Sequence, residues 1–306
     1  MNRVKIIYNP DSGRRILQKN VPELKEILWE DYRIKADIEG TQGPLHAIEI
    51  AQESCKQGYT MIVAAGGDGT VNEVLNGMMH SGCHQNTSLV IYPAGTVNDL
   101  GNHFKISKNV HQFAHMIHLN RQQKMDVGFT GETYFLNVAA AGLLTDVAYK
   151  VSSESKTALG KFAYYLEGIK EFPKQIFKPI KVELKIGTKI EEKEIFFFIL
   201  ANTSHVGGFR HIAPEAKIND GLMDLLIIES CPLKDIASLF LLMLQGNHIN
   251  HPYFKYYQVN ELTIGGPSEI VVDVDGELGA SLPMNFKVIK EAIKIIVPEA
   301  YFKING

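Results

Sequence analysis

The run Gly66-Gly67-Asp68-Gly69, followed at once by Thr70, Val71 and Asn72, holds the residues best placed to do chemistry. An apolar stretch, Met61 to Ala65, leads into it and a helix-like segment leads out. Strand, glycine turn and helix start together aim bare backbone N–H groups at an anion such as a phosphate. Glycine removes the Cβ that would hold the anion off. A carboxylate inside such a cradle repels phosphate unless a cation lies between them. Asp68 therefore predicts Mg²⁺ and a nucleotide.

Three other stretches carry related chemistry. Tyr92-Pro93-Ala94-Gly95-Thr96-Val97-Asn98-Asp99 repeats the scheme of strand, glycine turn, hydroxyl and carboxylate. Thr96 and Asp99 alone read as helix caps; beside Asp68 in one sheet they read as ligand contacts. Val272-Asp273-Val274-Asp275-Gly276-Glu277 pairs two carboxylates across a glycine, which suits metal binding or proton abstraction. Asp-Gly is equally a hairpin signal, and spacing alone favours the turn. In Ala213 to Leu222, Asp220 and nearby carbonyls can hold a hard cation, although the local signal is that of an ordinary turn. Arg14 and Arg15, after Ser12-Gly13, are placed to meet a phosphate tail. His111, His115 and His118 share a helical face but lack a fourth ligand, so a solvated or capping role is expected. There is no GxxxxGK[ST] loop, and no GxGxxG opens a helix.

Alternating elements must position these loops. Strands are expected at Val4–Tyr8, Ile34–Glu39, Met61–Ala65 and Leu89–Tyr92. Helices are expected at Ile16–Trp29, Leu45–Gln57, Val71–Met79 and from about Thr96. Such alternation implies a parallel sheet with its ligand loops at the carboxyl ends of the strands. The texture changes after Asp126. Val182–Ile186 alternates strictly, Gly187-Thr188 turns it, and Ile195–Ala201, Leu222–Ile228, Leu262–Ile264 and Ile270–Val274 continue as short strands. They read as an antiparallel sandwich or barrel, interrupted by helices at Leu159–Glu171 and Leu233–Leu244. A stripe of Leu239, Leu242 and Met243 reads as core. Two domains sharing a cleft are expected.

Composition excludes several classes. The 306 residues are 45% hydrophobic and 21% charged, ordinary for a globular protein with a core. The formal net charge of −3 gives no footprint for nucleic acid. Cys55, Cys83 and Cys231 are odd in number and unpaired in spacing, which favours a reducing compartment. No signal peptide is expected from the strand-like start. The longest apolar candidate, Ile236 to Leu244, is well short of the roughly 18 residues of a spanning helix. A cytoplasmic location follows as an expectation.

Taken together, Asn9-Pro10 with Ser12-Gly13, Gly66-Gly67-Asp68-Gly69-Thr70 with Asn72-Glu73, Pro93 with Gly95-Thr96 and Asn98-Asp99, and Asp275-Gly276-Glu277 resemble the bacterial diacylglycerol kinase-like lipid kinases. These are relatives of sphingosine and eukaryotic diacylglycerol kinases, and the motifs run in order across nearly the whole chain. The GGDGT element alone is shared with NAD kinases. The resemblance implies an N-terminal α/β domain of NAD kinase-like fold and a C-terminal antiparallel β-sandwich, with ATP held in the cleft. The implied bounds are 1–127, with 296–306 packing back, and 128–295. It implies that Asn9, Pro10, Asp11, Ser12, Gly13, Thr41, Gly66, Gly67, Asp68, Gly69, Thr70, Val71, Asn72, Thr96, Asn98 and Asp99 line the nucleotide. Glu277 matches the proton acceptor, with Asp275 beside it. Asp220, with the carbonyls of Lys217 and Leu222, matches a structural Mg²⁺ site.

The resemblance further implies phosphorylation of a lipid hydroxyl, diacylglycerol or a related glycerolipid, within phospholipid biosynthesis. Mg²⁺ would bridge the phosphates with help from Asp68, and Asp99 and Asp126 are further candidates. Peripheral attachment to a membrane is expected, an apolar groove in the second domain would take the acyl chains, and a homodimer is compatible with the sequence. Two departures stand out: Val97 where the family has Gly, and Leu100-Gly101-Asn102 where it has Phe-Ala-Arg. An NAD kinase-like soluble enzyme and a non-catalytic nucleotide- or lipid-binding regulator are the alternatives.

Overall fold

The computed structural model describes residues 3–142, 178–206 and 211–305. The chain forms two compact units, Met1–Val127 with Lys290–Gly306, and Gly128–Ile289.

In the first unit, strands β1 (Arg3–Tyr8), β2 (Lys35–Gly40), β3 (Met61–Gly66) and β4 (Ser88–Pro93) alternate with helices α1 (Leu17–Glu30), α2 (His46–Lys56) and α3 (Asp68–His80). The strands are parallel in the order β2-β1-β3-β4. Every residue of β3 and β4 is buried, as expected where helices cover both faces, and this explains their unbroken apolar runs. Two short helices, α4 (Asp99–His103) and α5 (Val110–Leu119), follow β4. Lys294 and Ile295 add a parallel segment beside β4, and α7 (Glu299–Asn305) closes the unit. Because β1 lies between β2 and β3, the order reverses at β1/β3. Open parallel sheets bind ligands outside the carboxyl ends of their strands at such a reversal. The loops that leave β1 and β3 there are the Asn9–Gly13 and Gly66–Gly69 segments.

Strand β5 (Gln122–Phe129) pairs antiparallel with β6 (Tyr134–Phe135), and the second unit is antiparallel throughout its described strands. Strand β9 (Lys189–Ala201) pairs through its first half with β8 (Ile180–Ile186) and through its second half with β7 (Val138–Gly142) and β10 (Met223–Glu229). Strands β11 (Phe254–Val259), β12 (Glu261–Gly265), β13 (Val271–Val274) and β14 (Glu277–Ser281) complete it, with the first residues of β15 (Met284–Ile296) against β12. Alternation along β10 sends Leu225 and Ile227 into the core between the sheets. It sends Leu226 and Ile228 the other way, against Ile236, Leu239 and Met243 of α6 (Leu233–Gln245). Leu239 and Met243 of the expected stripe are therefore core, and Leu242 is half-buried. The architecture is an α/β unit with a parallel sheet followed by an antiparallel β-sandwich. The helix expected over residues 159–171 lies outside the described residues.

Two helix starts differ from expectation. α3 begins at Asp68, three residues before Val71, because extended Gly67 lets the glycine turn itself serve as the first helical turn. α4 begins at Asp99 rather than near Thr96. Asn98 holds a left-handed conformation (φ 53°), which Asn tolerates better than most residues.

Candidate active site

Three loops meet in the first unit. The Asn9 N–H donates to the Ala65 carbonyl over 3.0 Å, which joins the loop after β1 to the end of β3. Gly13, at φ 61°, lies against the Ala94 carbonyl, where a Cβ would come within 2.9 Å. A Cβ on Gly95 would come within 2.6 Å of the Gly67 Cα, so the loops after β3 and β4 touch through bare backbone. The Gly66 carbonyl accepts from both Ala94 N (2.9 Å) and Gly95 N (3.1 Å). Thr41 joins at the end of β2 through a 2.9 Å bond from its N–H to the Tyr8 carbonyl. The structure thus brings together Asn9 to Gly13, Thr41, Gly66 to Thr70 and Thr96 to Asp99. Val71 and Asn72 are buried one step further into α3, where Asn72 Oδ1 accepts from Asn76 Nδ2 at 3.0 Å.

A helix's opening N–H groups find no acceptor inside the helix. The first helical bond of α3 runs from Val71 N to Gly67 O, so Gly69 and Thr70 present N–H groups at its start. Asp68 has protein partners that its sequence setting did not reveal. Its carboxylate accepts from Asn98 N (2.9 Å) and Asp99 N (3.2 Å), and so clasps the start of α4. Asn98 closes its own turn: Oδ1 accepts from Gly95 N at 2.7 Å and Nδ2 donates to Gly95 O at 2.6 Å. Glu73 accepts from Ala47 N at 3.1 Å and so serves the start of α2. Asp126 is buried and accepts from Glu291 N at 2.6 Å. Asp11 is exposed and lies 3.7 Å from Arg15.

The departures after Asp99 have local explanations. Asn102 Nδ2 donates to the Val97 carbonyl at 2.8 Å and stabilises the turn from within. Gly101 packs on Pro93, where a Cβ would come within 2.7 Å. Leu100 is buried.

In the second unit Asp275-Gly276 forms the two-residue turn between β13 and β14, with φ 51° and 90°. Positive φ at both central positions is the type I′ hairpin that an Asp-Gly pair favours. Asp275 is buried, and its carboxylate accepts from three successive N–H groups, of Leu136 (2.8 Å), Asn137 (2.9 Å) and Val138 (2.9 Å). Asp273 Oδ1 accepts from Gly276 N at 2.9 Å. Glu277, the first residue of β14, is exposed.

The Lys217–Leu222 segment is a half-exposed turn in which Asp220 Oδ1 accepts from Leu222 N at 2.9 Å. Behind it, buried Asp224 accepts from the Tyr256 hydroxyl at 2.5 Å and from Gln258 Nε2 at 3.2 Å. Burial pushes the Asp224 carboxyl up from the usual range, and the charges of Asp220 and Glu215 add to that push. Among the described residues no group of three His, Cys, Asp or Glu side chains is arranged to hold a metal.

The diacylglycerol kinase catalytic domain profile matches residues 3–130. The profile of the YegS C-terminal NAD kinase beta sandwich-like domain matches residues 137–297. Diacylglycerol kinase of Bacillus subtilis (strain 168) is 32% identical over 300 residues, 98% of this chain and 97% of its own length. The chain belongs to the diacylglycerol kinase family. Another member, diacylglycerol kinase of Staphylococcus saprophyticus, is 32% identical over 296 residues, covering 97% of this chain and 95% of that one. A crystal structure of a diacylglycerol kinase from Bacillus anthracis str. Sterne matches with a TM-score of 0.79 at 23% identity, covering 98% of each chain. At that identity the likeness speaks for the fold. In this diacylglycerol kinase family member, both motif-bearing turns fall inside profile-matched segments.

Proposed function

We propose that the chain is an ATP-dependent lipid kinase that transfers the γ-phosphoryl group to a hydroxyl of a membrane lipid, diacylglycerol or a related glycerolipid. The observation that carries this reading is the meeting of three glycine-bearing loops at the reversal point of the parallel sheet, with the N-terminus of α3 opening onto them. Phosphoryl transfer asks mainly for positioning and charge neutralisation. Gly69 and Thr70 N–H groups, Thr96 and the Asn9–Gly13 backbone provide contacts for phosphate. Glu277 takes the proton of the attacking hydroxyl. The family membership supports both ATP as donor and a lipid as acceptor.

Mg²⁺, when bound, would neutralise charge on the ATP phosphates. The residues fit this in one respect: Asp68 is partly exposed at the head of α3, beside the N–H groups of Gly69 and Thr70, where a carboxylate and a phosphate would share a cation. At the second candidate site, the negative charges of Asp220 and Glu215 acting on buried Asp224 favour a cation nearby. Asp220 with the carbonyls of Lys217 and Leu222 would hold it. Among the described residues no helix is long and apolar enough to cross a membrane. On this reading the lipid is met at the membrane surface.

The test is to incubate the purified chain with Mg²⁺, γ-labelled ATP and a fractionated membrane lipid extract. Label is expected in a glycerolipid fraction. Label appearing on added NAD instead, or ATP binding with no consumption against any fraction, would overturn the reading.

A further inference from the structure

The hairpin that carries Glu277 is braced by a buried polar network for which the transfer chemistry itself has no use. The three N–H groups that grip Asp275 belong to residues 136–138. That segment is itself held by the turn after β9. Asn202 N donates to Asn137 O at 2.9 Å, and Asn202 Nδ2 donates to Leu136 O at 2.8 Å. The Thr203 hydroxyl donates to Asn137 Oδ1 at 2.6 Å, and Asn137 Nδ2 donates to His205 O at 3.1 Å. Asn137, Asn202 and Thr203 are all buried, Asn202 and Thr203 completely. Buried polar groups are costly outside hydrogen bonds, and a network joined by such bonds favours one geometry. An apolar core would fill the same space without that requirement.

The geometry leads directly to Glu277. The Asp275 N–H donates to Val138 O at 2.9 Å, so backbone and side chain of Asp275 are both fixed on β7. Gly276 is tied to Asp273, and Glu277 pairs with Val274. The Cα of Glu277 thus has its place set by residues 136–138, and these by Asn137 and Thr203.

We propose that Asn137 and Thr203 are positioning residues for Glu277, acting through Asp275. This rests on the reading of Glu277 as the proton acceptor. A base displaced by about 1 Å can lose on the order of 10²-fold in rate while substrates still bind.

The test is a double-mutant cycle of Thr203→Val with Glu277→Gln, assayed with ATP and diacylglycerol in mixed detergent micelles. Valine keeps the shape of threonine and removes the hydroxyl donor. Thr203→Val is expected to lower kcat roughly 10- to 100-fold with the KM for ATP unchanged, and Thr203→Ser is expected to restore it. In the Glu277→Gln background, Thr203→Val should cost almost nothing further, because the group it positions is gone. A loss that multiplies in full across the two backgrounds, or an unchanged kcat in Thr203→Val alone, overturns the proposal. Asn137→Ser is carried through the same cycle, with circular dichroism on each variant, so that poor folding of one leaves the other to decide. If Glu277→Gln by itself leaves kcat unchanged, the underlying reading fails and this proposal with it. Slow Glu277→Gln with fully multiplicative Thr203→Val defeats the proposal alone.

Discussion

Asp68 in the first unit and Asp275 in the second both stand in glycine-flanked turns at the end of a strand, yet their carboxylates are spent differently. Asp68 accepts two N–H groups from a loop 30 and 31 residues further on, and it stays partly exposed at the head of a helix. Asp275 accepts three from a segment 137 to 139 residues earlier and is only 8% exposed. An ionised carboxylate offers about four acceptor positions. Asp275 is committed to holding backbone, whereas Asp68 stays partly exposed beside the opening N–H groups of α3. A similar local motif therefore yields a group suited to charge neutralisation in one unit and a structural clasp in the other. On the proposed reading the proton is taken by Glu277, which is exposed two residues beyond the clasp.

The sharpest way to break this comparison is to measure turnover. Asp68→Ala should abolish it and Glu277→Gln should lower kcat by on the order of 10² to 10⁴ while ATP still binds. Near-normal activity of Asp68→Ala at saturating Mg²⁺ would remove the loop from the reaction.

Stability should rank the other way round. Asp275→Ala leaves three buried N–H groups without their acceptor, at about 1–3 kcal/mol each, so a loss on the order of 3 kcal/mol or more is expected in urea denaturation. Asp68→Ala removes a cap-like clasp at the start of α4 and should cost only about 1 kcal/mol. A larger loss in Asp68→Ala would invert the assignment of clasp and cation site.

Much of this was legible in one sequence. The glycine turns declare themselves through local conformational freedom, and the buried strands through unbroken apolar runs such as Met61–Gly66. The Asp275-Gly276 hairpin was readable from its dipeptide. What was not legible is where each carboxylate finds its donors, because pairings such as Asp275 with Leu136 join residues far apart in the chain. Glu73 stands among the residues that carry the family resemblance, and its bond to Ala47 N emerges only when α2 and α3 pack together. The start of α4 differs from the expectation for a similar reason: the Asn98 side chain closes on Gly95 and delays the helix to Asp99.

A smaller effect is expected at the Lys217–Leu222 turn. Asp220→Asn should raise the Mg²⁺ concentration needed for half-maximal activity, with the KM for ATP little changed. A well-resolved structure in ample Mg²⁺ that shows only a dry turn there would discard the site.

The smallest effect concerns two histidines, one in each unit. Burial lowers the pKa of both His84 and His248 from the usual 6.5. The folded chain thus favours the neutral rings, and the unfolded chain takes up protons first as the pH falls. The stability they protect is complete above about pH 6.5 and declines below it. His248 is fully buried with Nε2 2.8 Å from Ile212 O, so His248→Gln should flatten the acid decline more than His84→Gln does. Equal flattening by both in thermal melts between about pH 5 and 7 would argue against burial as the cause.

The most direct test of the central claim is transfer of label from γ-labelled ATP to diacylglycerol in mixed micelles, with and without Mg²⁺, for the unaltered chain, Asp68→Ala, Asp275→Asn and Glu277→Gln. The account predicts Mg²⁺-dependent label in the lipid phase. That label should be lost in Asp68→Ala, strongly reduced in Glu277→Gln, and reduced roughly 10- to 100-fold in folded Asp275→Asn through the displaced Glu277. Label that stays in the aqueous phase with every lipid acceptor, or lipid label that survives intact in Glu277→Gln but vanishes in well-folded Asp275→Asn, would contradict it.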